Sequence, residues 1–141
     1  MSYESLPRFL AKVDLFEGLP ADVLSDLVSR GTTLSTPAGR QVVEQGSADS
    51  GLQIVVEGSA DVSVSGEARR PLGPGDYFGE ISLIDGRPRS ATIVAGPDGL
   101  RTFALSTLAF APVIKGNPEV AQSLLKALCA RIRSLEASSA S

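Results

Sequence analysis

The stretch Gly73-Pro74-Gly75-Asp76-Tyr77-Phe78-Gly79-Glu80-Ile81-Ser82-Leu83-Ile84-Asp85-Gly86-Arg87-Pro88-Arg89-Ser90-Ala91-Thr92 decides how this chain is read. A Gly-Pro-Gly turn feeds an aromatic pair. Gly79 and Glu80 then open a single helical turn ending near Asp85-Gly86, and a strand begins at Arg89. A short helix set between two strands presents free backbone N–H groups at its start, and Gly79 lets a ligand approach that backbone closely. Such a terminus suits an anion. Arg89 supplies a planar, permanently charged fork matched to phosphate oxygens, and Ser90 adds a hydroxyl. Glu80 repels a phosphate but accepts hydrogen bonds from a sugar hydroxyl beside one. An arginine for phosphate and a carboxylate for ribose, set around one helical turn, form a nucleotide constellation. The residues alone leave a structural alternative open: Glu80 complementing a helix dipole, Arg89 pairing with Glu80 or Asp85, and glycines that only make turns.

Outward from this stretch, twelve of the fourteen glycines lie between Gly31 and Gly99, which excludes long helices there. Between them sit short β-prone runs: Gln41–Val43, Leu52–Val56, Asp61–Val64, Thr92–Ala95 and Arg101–Leu105. Short strands at this pace indicate an antiparallel barrel or jelly roll. The flanks read as helical. Pro20 to Arg30 places Val23, Leu24, Leu27 and Val28 on one face and is closed by Gly31. Before it, Val13-Asp14-Leu15-Phe16 is an apolar connector. Asn117-Pro118-Glu119 starts a second helix with a capping side chain, a first-position proline and an acid at the positive end. That helix runs to about Leu135, roughly 27 Å, with Val120, Leu124, Leu128, Ile132 and Leu135 as its apolar stripe.

A chain of 141 residues holds one domain, not two, and can bury about two-thirds of its unfolded surface. Disulfides are not needed, and a single cysteine, Cys129, cannot form one within the chain. The first residues are mixed and polar, unlike a signal peptide, and no apolar run approaches the roughly 20 residues of a membrane helix. A cytoplasmic location without membrane insertion is expected. The absence of histidine excludes serine or cysteine triads of the usual kind, ordinary zinc hydrolase sites and histidine acid–base pairs. A formal charge of −3 has the wrong sign for a nucleic acid partner, and the one basic cluster, Arg69-Arg70, reads as a solvent-facing turn.

Phe78-Gly79-Glu80-Ile81-Ser82-Leu83-Ile84, four intervening residues, then Arg89-Ser90-Ala91-Thr92 resemble the phosphate-binding cassette of the cyclic nucleotide-binding domain family. Leu15-Phe16 with Leu19-Pro20 is similar to the family's N-terminal helical motif. Pro37-Ala38-Gly39 and Gln45-Gly46 are similar to its first barrel turns, Glu57-Gly58 to the turn after its third strand, and Asn117-Pro118-Glu119 to the start of the helix that closes over the ligand. Gln53 departs from the pattern, standing where members often carry an aromatic.

The resemblance implies a mainly β fold with flanking α, an eight-stranded antiparallel β-roll of jelly-roll type. It would form one domain over 1–136: an N-terminal helical segment over 1–31, the roll over 32–106 with its cassette at 78–92, and C-terminal helices over 107–136, followed by a disordered tail at 137–141. Glu80 would hold the ribose 2′-hydroxyl. Arg89 and Ser90, with backbone amides at Gly79, Glu80 and Ile81, would hold the cyclic phosphate, and Ser82 and Ala91 complete the ligand-binding set. Arg131 is similar to the arginine that bacterial channel modules place over the base; the alternative is a solvated arginine favouring the helix C-terminus. Leu128 and Ile132 share the same ambiguity between lid and core.

The function so implied is a stand-alone sensor for cyclic AMP, with cyclic GMP the alternative, signalling through its C-terminal helix to an effector protein or to a second copy of the chain. Cyclic GMP-preferring kinase modules carry a threonine directly after the cassette arginine, whereas this chain has Ser90, as bacterial cyclic AMP receptors do. No cofactor, metal or catalytic residue is expected, since hydrolysis of a cyclic phosphodiester needs a metal cluster or a positioned base. A docking module with an empty pocket is the competing reading, against which the presence of Glu80, Arg89 and Ser90 argues.

Overall fold

Two long strands organise the chain. The computed structural model describes residues 5–47, 51–79 and 87–140. Within them β3 (Leu52–Val64) and β6 (Thr92–Leu105) pair antiparallel along almost their whole length. β1 (Thr32–Thr36) and β2 (Gln41–Val43) pair with β6, while β4 (Glu67–Ala68) and β5 (Tyr77–Phe78) pair with β3, all antiparallel. Before the sheet come α1 (Leu6–Leu10), a 3-10 turn (Asp14–Phe16) and α2 (Ala21–Arg30); after it come α3 (Thr107–Gly116) and α4 (Pro118–Ala140).

The sheet among the described residues has six strands, not the eight the resemblance implies. The difference lies in β3 and β6, each of which joins two of the short runs read from the sequence. Glu57-Gly58 is therefore not a turn. The ladder shifts register between Val55 and Glu57 and again between Gly58 and Ala60, so the strand bulges and continues. At the second shift Ala60 pairs with Ala95 and Gly58 with Leu100, leaving Gly96-Pro97-Asp98-Gly99 opposite Ser59. Gly58 has φ +82°, and a Cβ there would run into the Gly99 carbonyl. The glycine that looks like a turn signal marks a close approach of two backbones within a ladder.

Alternation of side chains along the strands divides the interior in two. Leu52, Ile54 and Val56, with Phe103 and Leu105, face the helices and join Leu10, Leu15, Phe16, Leu27 and Phe110 in one buried cluster. Val55 and Ala60, with Ile93, Ala95 and Leu100, fill the inside of the roll. β5 divides between them, Tyr77 to the helix side and Phe78 to the roll interior. The face of α2 read from its spacing, Val23, Leu24, Leu27 and Val28, is buried as expected.

α4 differs from its expected form in two respects. It continues to Ala140 instead of stopping near Leu135, so the stretch expected to be a disordered tail is helical as far as the description extends. Ala137 and Ala140 are strong helix formers and no glycine or proline interrupts the run. Asn117 also turns its side-chain amide back, donating to the Val113 carbonyl at 3.0 Å, and so closes α3. Along α4 burial fades: Val120, Leu124 and Ala127 are buried, Leu128 is half-buried and Ile132 is 55% exposed. No helix among the described residues is long and apolar enough to cross a membrane.

Phe110 is fully buried where α3 meets the helix-side cluster. Phe110→Ala is expected to cost about 3–5 kcal/mol, read as a lower urea midpoint with an unchanged slope.

Candidate functional site

The site is built around Arg89. Its backbone is fixed on both sides by the loop after β2, with Arg89 N–H donating to the Ser47 carbonyl and Gly46 N–H donating to the Arg89 carbonyl, each at 2.9 Å. The side chain is only 6% exposed, and Nη1 donates to the Gly51 carbonyl at 2.8 Å. A charged donor of this kind makes a stronger hydrogen bond than a neutral one. Gly79 has φ +88°, and a Cβ there would meet both the Gly51 carbonyl and Arg89 Nη1. Only glycine lets the end of β5 pass this close to the guanidinium.

The turn Gly73-Pro74-Gly75-Asp76 delivers β5 to this point. Asp76 Oδ2 accepts from Gly73 N–H at 2.9 Å. Gly75 N–H donates to the Val55 carbonyl, and Val55 N–H to the Asp76 carbonyl, locking the turn onto β3.

A cavity of about 180 Å³ opens beside Arg89. Gly79, Arg89, Ser90 and Ala91 line it from the cassette, Val43, Val62, Leu72 and Ile93 give it apolar walls, and Tyr77 and Phe78 form its aromatic side. Arg131 reaches in from α4: its guanidinium carbon lies 4.8 Å from the centroid of the Tyr77 ring, and Nη2 lies 3.4 Å from the Tyr77 carbonyl. The structure thus brings together five of the residues expected from sequence: Gly79, Arg89, Ser90, Ala91 and Arg131. Glu80, Ile81 and Ser82 lie outside the described residues. The alternative of a solvated Arg131 is replaced by a packed one. Leu128 is half-buried, and Ile132 is exposed, serving neither core nor lid in this arrangement.

Arg69 and Arg70 both face solvent, as read from the sequence: Arg69 pairs with Glu67 at 3.3 Å, and Arg70, its side chain 84% exposed, pairs with Asp76 at 3.9 Å. Arg70 also stands at the edge of the cavity, a position the sequence reading did not give it. The signal available was its position just before Leu72 and the Gly-Pro-Gly turn. Chemically the cavity offers a buried guanidinium and a hydroxyl for an anionic ester, and apolar and aromatic walls for a flat base.

Residues 33–117 match the family model described as the cyclic nucleotide-binding domain. The chain belongs to that family. It is 33% identical over 119 residues, 84% of its length, to a cyclic nucleotide-gated potassium channel of Mesorhizobium japonicum. It is 39% identical over 88 residues, 62% of its length, to a cGMP-dependent protein kinase of Toxoplasma gondii. The catabolite activator protein of Thermus thermophilus superposes with a TM-score of 0.79 at 29% identity over 89% of this chain and 61% of that one. The chain spans 33% of the channel and 9% of the kinase.

Among the described residues Tyr77 carries the one large electrostatic shift. Burial, then a hydrogen bond to Asp14 and the charge of that carboxylate, push its phenol from 10.0 up to about 12, with Asp76 adding and Arg131 opposing. An acid with a raised folded pKa contributes stability that is whole below pH 10 and is lost as pH rises through 12. Urea stability measured across that window should therefore fall more steeply in the wild type than in Tyr77→Phe. Parallel curves would refute this account of Tyr77.

Proposed function

We propose that this chain is a sensor that binds cyclic AMP in the cavity beside Arg89 and passes the signal through α4 to an effector protein or to a second copy of itself. The observation that carries the reading is the buried Arg89 guanidinium, held against the Gly51 carbonyl in a cavity with apolar and aromatic walls. In this reading Arg89 and Ser90, with the amides of Gly79, Glu80 and Ile81, hold the cyclic phosphate. Glu80 accepts from the ribose 2′-hydroxyl, Ser82 and Ala91 border the cassette, and Arg131 stands at the base. The chain's own part is binding and positioning, with no bond made or broken.

Cyclic GMP is the second reading, favoured by the 39% identity to a kinase named for that nucleotide. Ser90 argues for cyclic AMP, because the hydroxyl is present without the methyl of the threonine found at that place in cyclic GMP-preferring kinase modules. Calorimetric titration with each nucleotide decides between them, the tighter ligand naming the class.

A charged hydrogen-bond donor is worth about 1.5–3 kcal/mol, so Arg89→Ala is expected to weaken binding roughly ten- to a hundred-fold with the fold intact. Unchanged affinity would remove the phosphate assignment. Glu80→Ala is expected to narrow the preference for cyclic AMP over its 2′-deoxy analogue, and undiminished discrimination would show that Glu80 does not hold the ribose.

A further inference from the structure

Arg131 and Tyr77 meet through two different parts of the same tyrosine. The guanidinium lies over the ring and also reaches the backbone carbonyl. Tyr77 is a rigid seat: it is buried and its backbone is laddered to Ile54 of β3. Arg131 comes from the opposite kind of element, the part of α4 where burial fades between Ala127 and Ile132.

Both residues line the cavity, which holds about 180 Å³. A ligand that reaches Arg89 through this space meets the Arg131 side chain, which lines it too. Phe78 and Ile93 are fixed in the roll interior, and Arg70, mostly exposed, releases little enclosed volume by moving. Arg131 is the long side chain whose displacement enlarges the space.

We propose that Tyr77 is a positioning residue that seats Arg131 across the cavity, so that a cyclic nucleotide enters by displacing that guanidinium from the tyrosine ring. This rests on the cavity being the nucleotide site. A purine offers a guanidinium another flat π face, so the ligand takes over the partner that Tyr77 held. The seat opposes binding, and its removal strengthens it. Ser123 of α4 donates to the Glu17 carbonyl at 3.1 Å, so the first turns of the helix stay attached to the N-terminal turn while the part that carries Arg131 moves.

The test is a double-mutant cycle read by calorimetric titration with cyclic AMP and cyclic GMP. Tyr77→Leu is expected to tighten binding about three- to thirty-fold, the factor corresponding to an ordinary cation–π contact, and this gain is expected to vanish in the Arg131→Met background. A purely structural effect of Tyr77→Leu would be the same in both backgrounds, which would overturn the proposal, as would weaker or unchanged binding. Tyr77→Phe keeps the ring and carbonyl and is expected to bind within about twofold of wild type. Should Tyr77→Leu not fold, hydrogen exchange without nucleotide remains decisive. Arg131→Met, similar in helix propensity, should speed exchange of the amides over residues 128–134 severalfold, and unchanged exchange would overturn the seat. Failure of the wild type to bind either nucleotide would sink the parent reading alone, since the exchange comparison judges the Arg131–Tyr77 contact without a ligand.

Discussion

A guanidinium taken out of water loses hydration worth several kcal/mol and regains it only through well-placed acceptors. Arg89 is in that position, and much of the neighbouring structure follows from accommodating it. The Gly51 carbonyl is aimed at Nη1, the loop through Gly46 and Ser47 holds the arginine backbone, and Gly79 leaves room for the side chain where any Cβ would collide. These partners come from two connections, the one between β2 and β3 and the one that follows β5. Their convergence on one arginine draws both to one end of the roll and leaves the cavity between them.

β5 then links that end of the roll to the helices. With only two residues, it places Phe78 in the roll interior and Tyr77 in the helix-side cluster, so a side chain facing each core sits one residue from the next. Tyr77 continues the connection through its ring to Arg131, and the Asp14 carboxylate lies near enough to raise its phenol pKa. The N-terminal turn and the last helix thus meet on a residue that lines the cavity, a short path from that space to the elements at the rim.

What could be read from the sequence, and what could not, follows from the range of the forces involved. Local chemistry was legible: the α2 face, the β2 run, and the grouping of Gly79, Arg89 and Ser90 rest on spacing and residue type, while Ala91 follows from the family resemblance. Gly58 was misread because its role depends on Gly99, a neighbour distant in sequence, and a bulge glycine carries the same signature as a turn glycine. Arg70 faces solvent as a charge beside another charge usually does, but its place at the cavity edge depends on the return of the Gly-Pro-Gly turn onto β3, which lies beyond local chemistry. Arg131 was assigned from resemblance to the base, whereas its contact with Tyr77 depends on the docking angle of α4, which helical periodicity does not contain. The end of α4 was placed early because a small, polar composition was read as a tail, although alanine favours the helix.

The pairing of β3 with β6 has a consequence for how the molecule comes apart and assembles. The two strands carry residues of both buried clusters on alternating positions, so neither cluster can dissolve while the other keeps its ladder intact. Two separate hydrophobic interiors therefore belong to one cooperative unit, and partial melting is confined to the periphery, where α4 loses its packing. Assembly meets the same constraint in reverse. Gln53 and Thr102, joined by a side-chain hydrogen bond across the ladder, are 49 residues apart in sequence, and closing a loop of that span precedes most of the contacts that reward it. A chain organised this way folds late and all at once, with its helices able to form early but unable to bury their faces until the two strands have found each other.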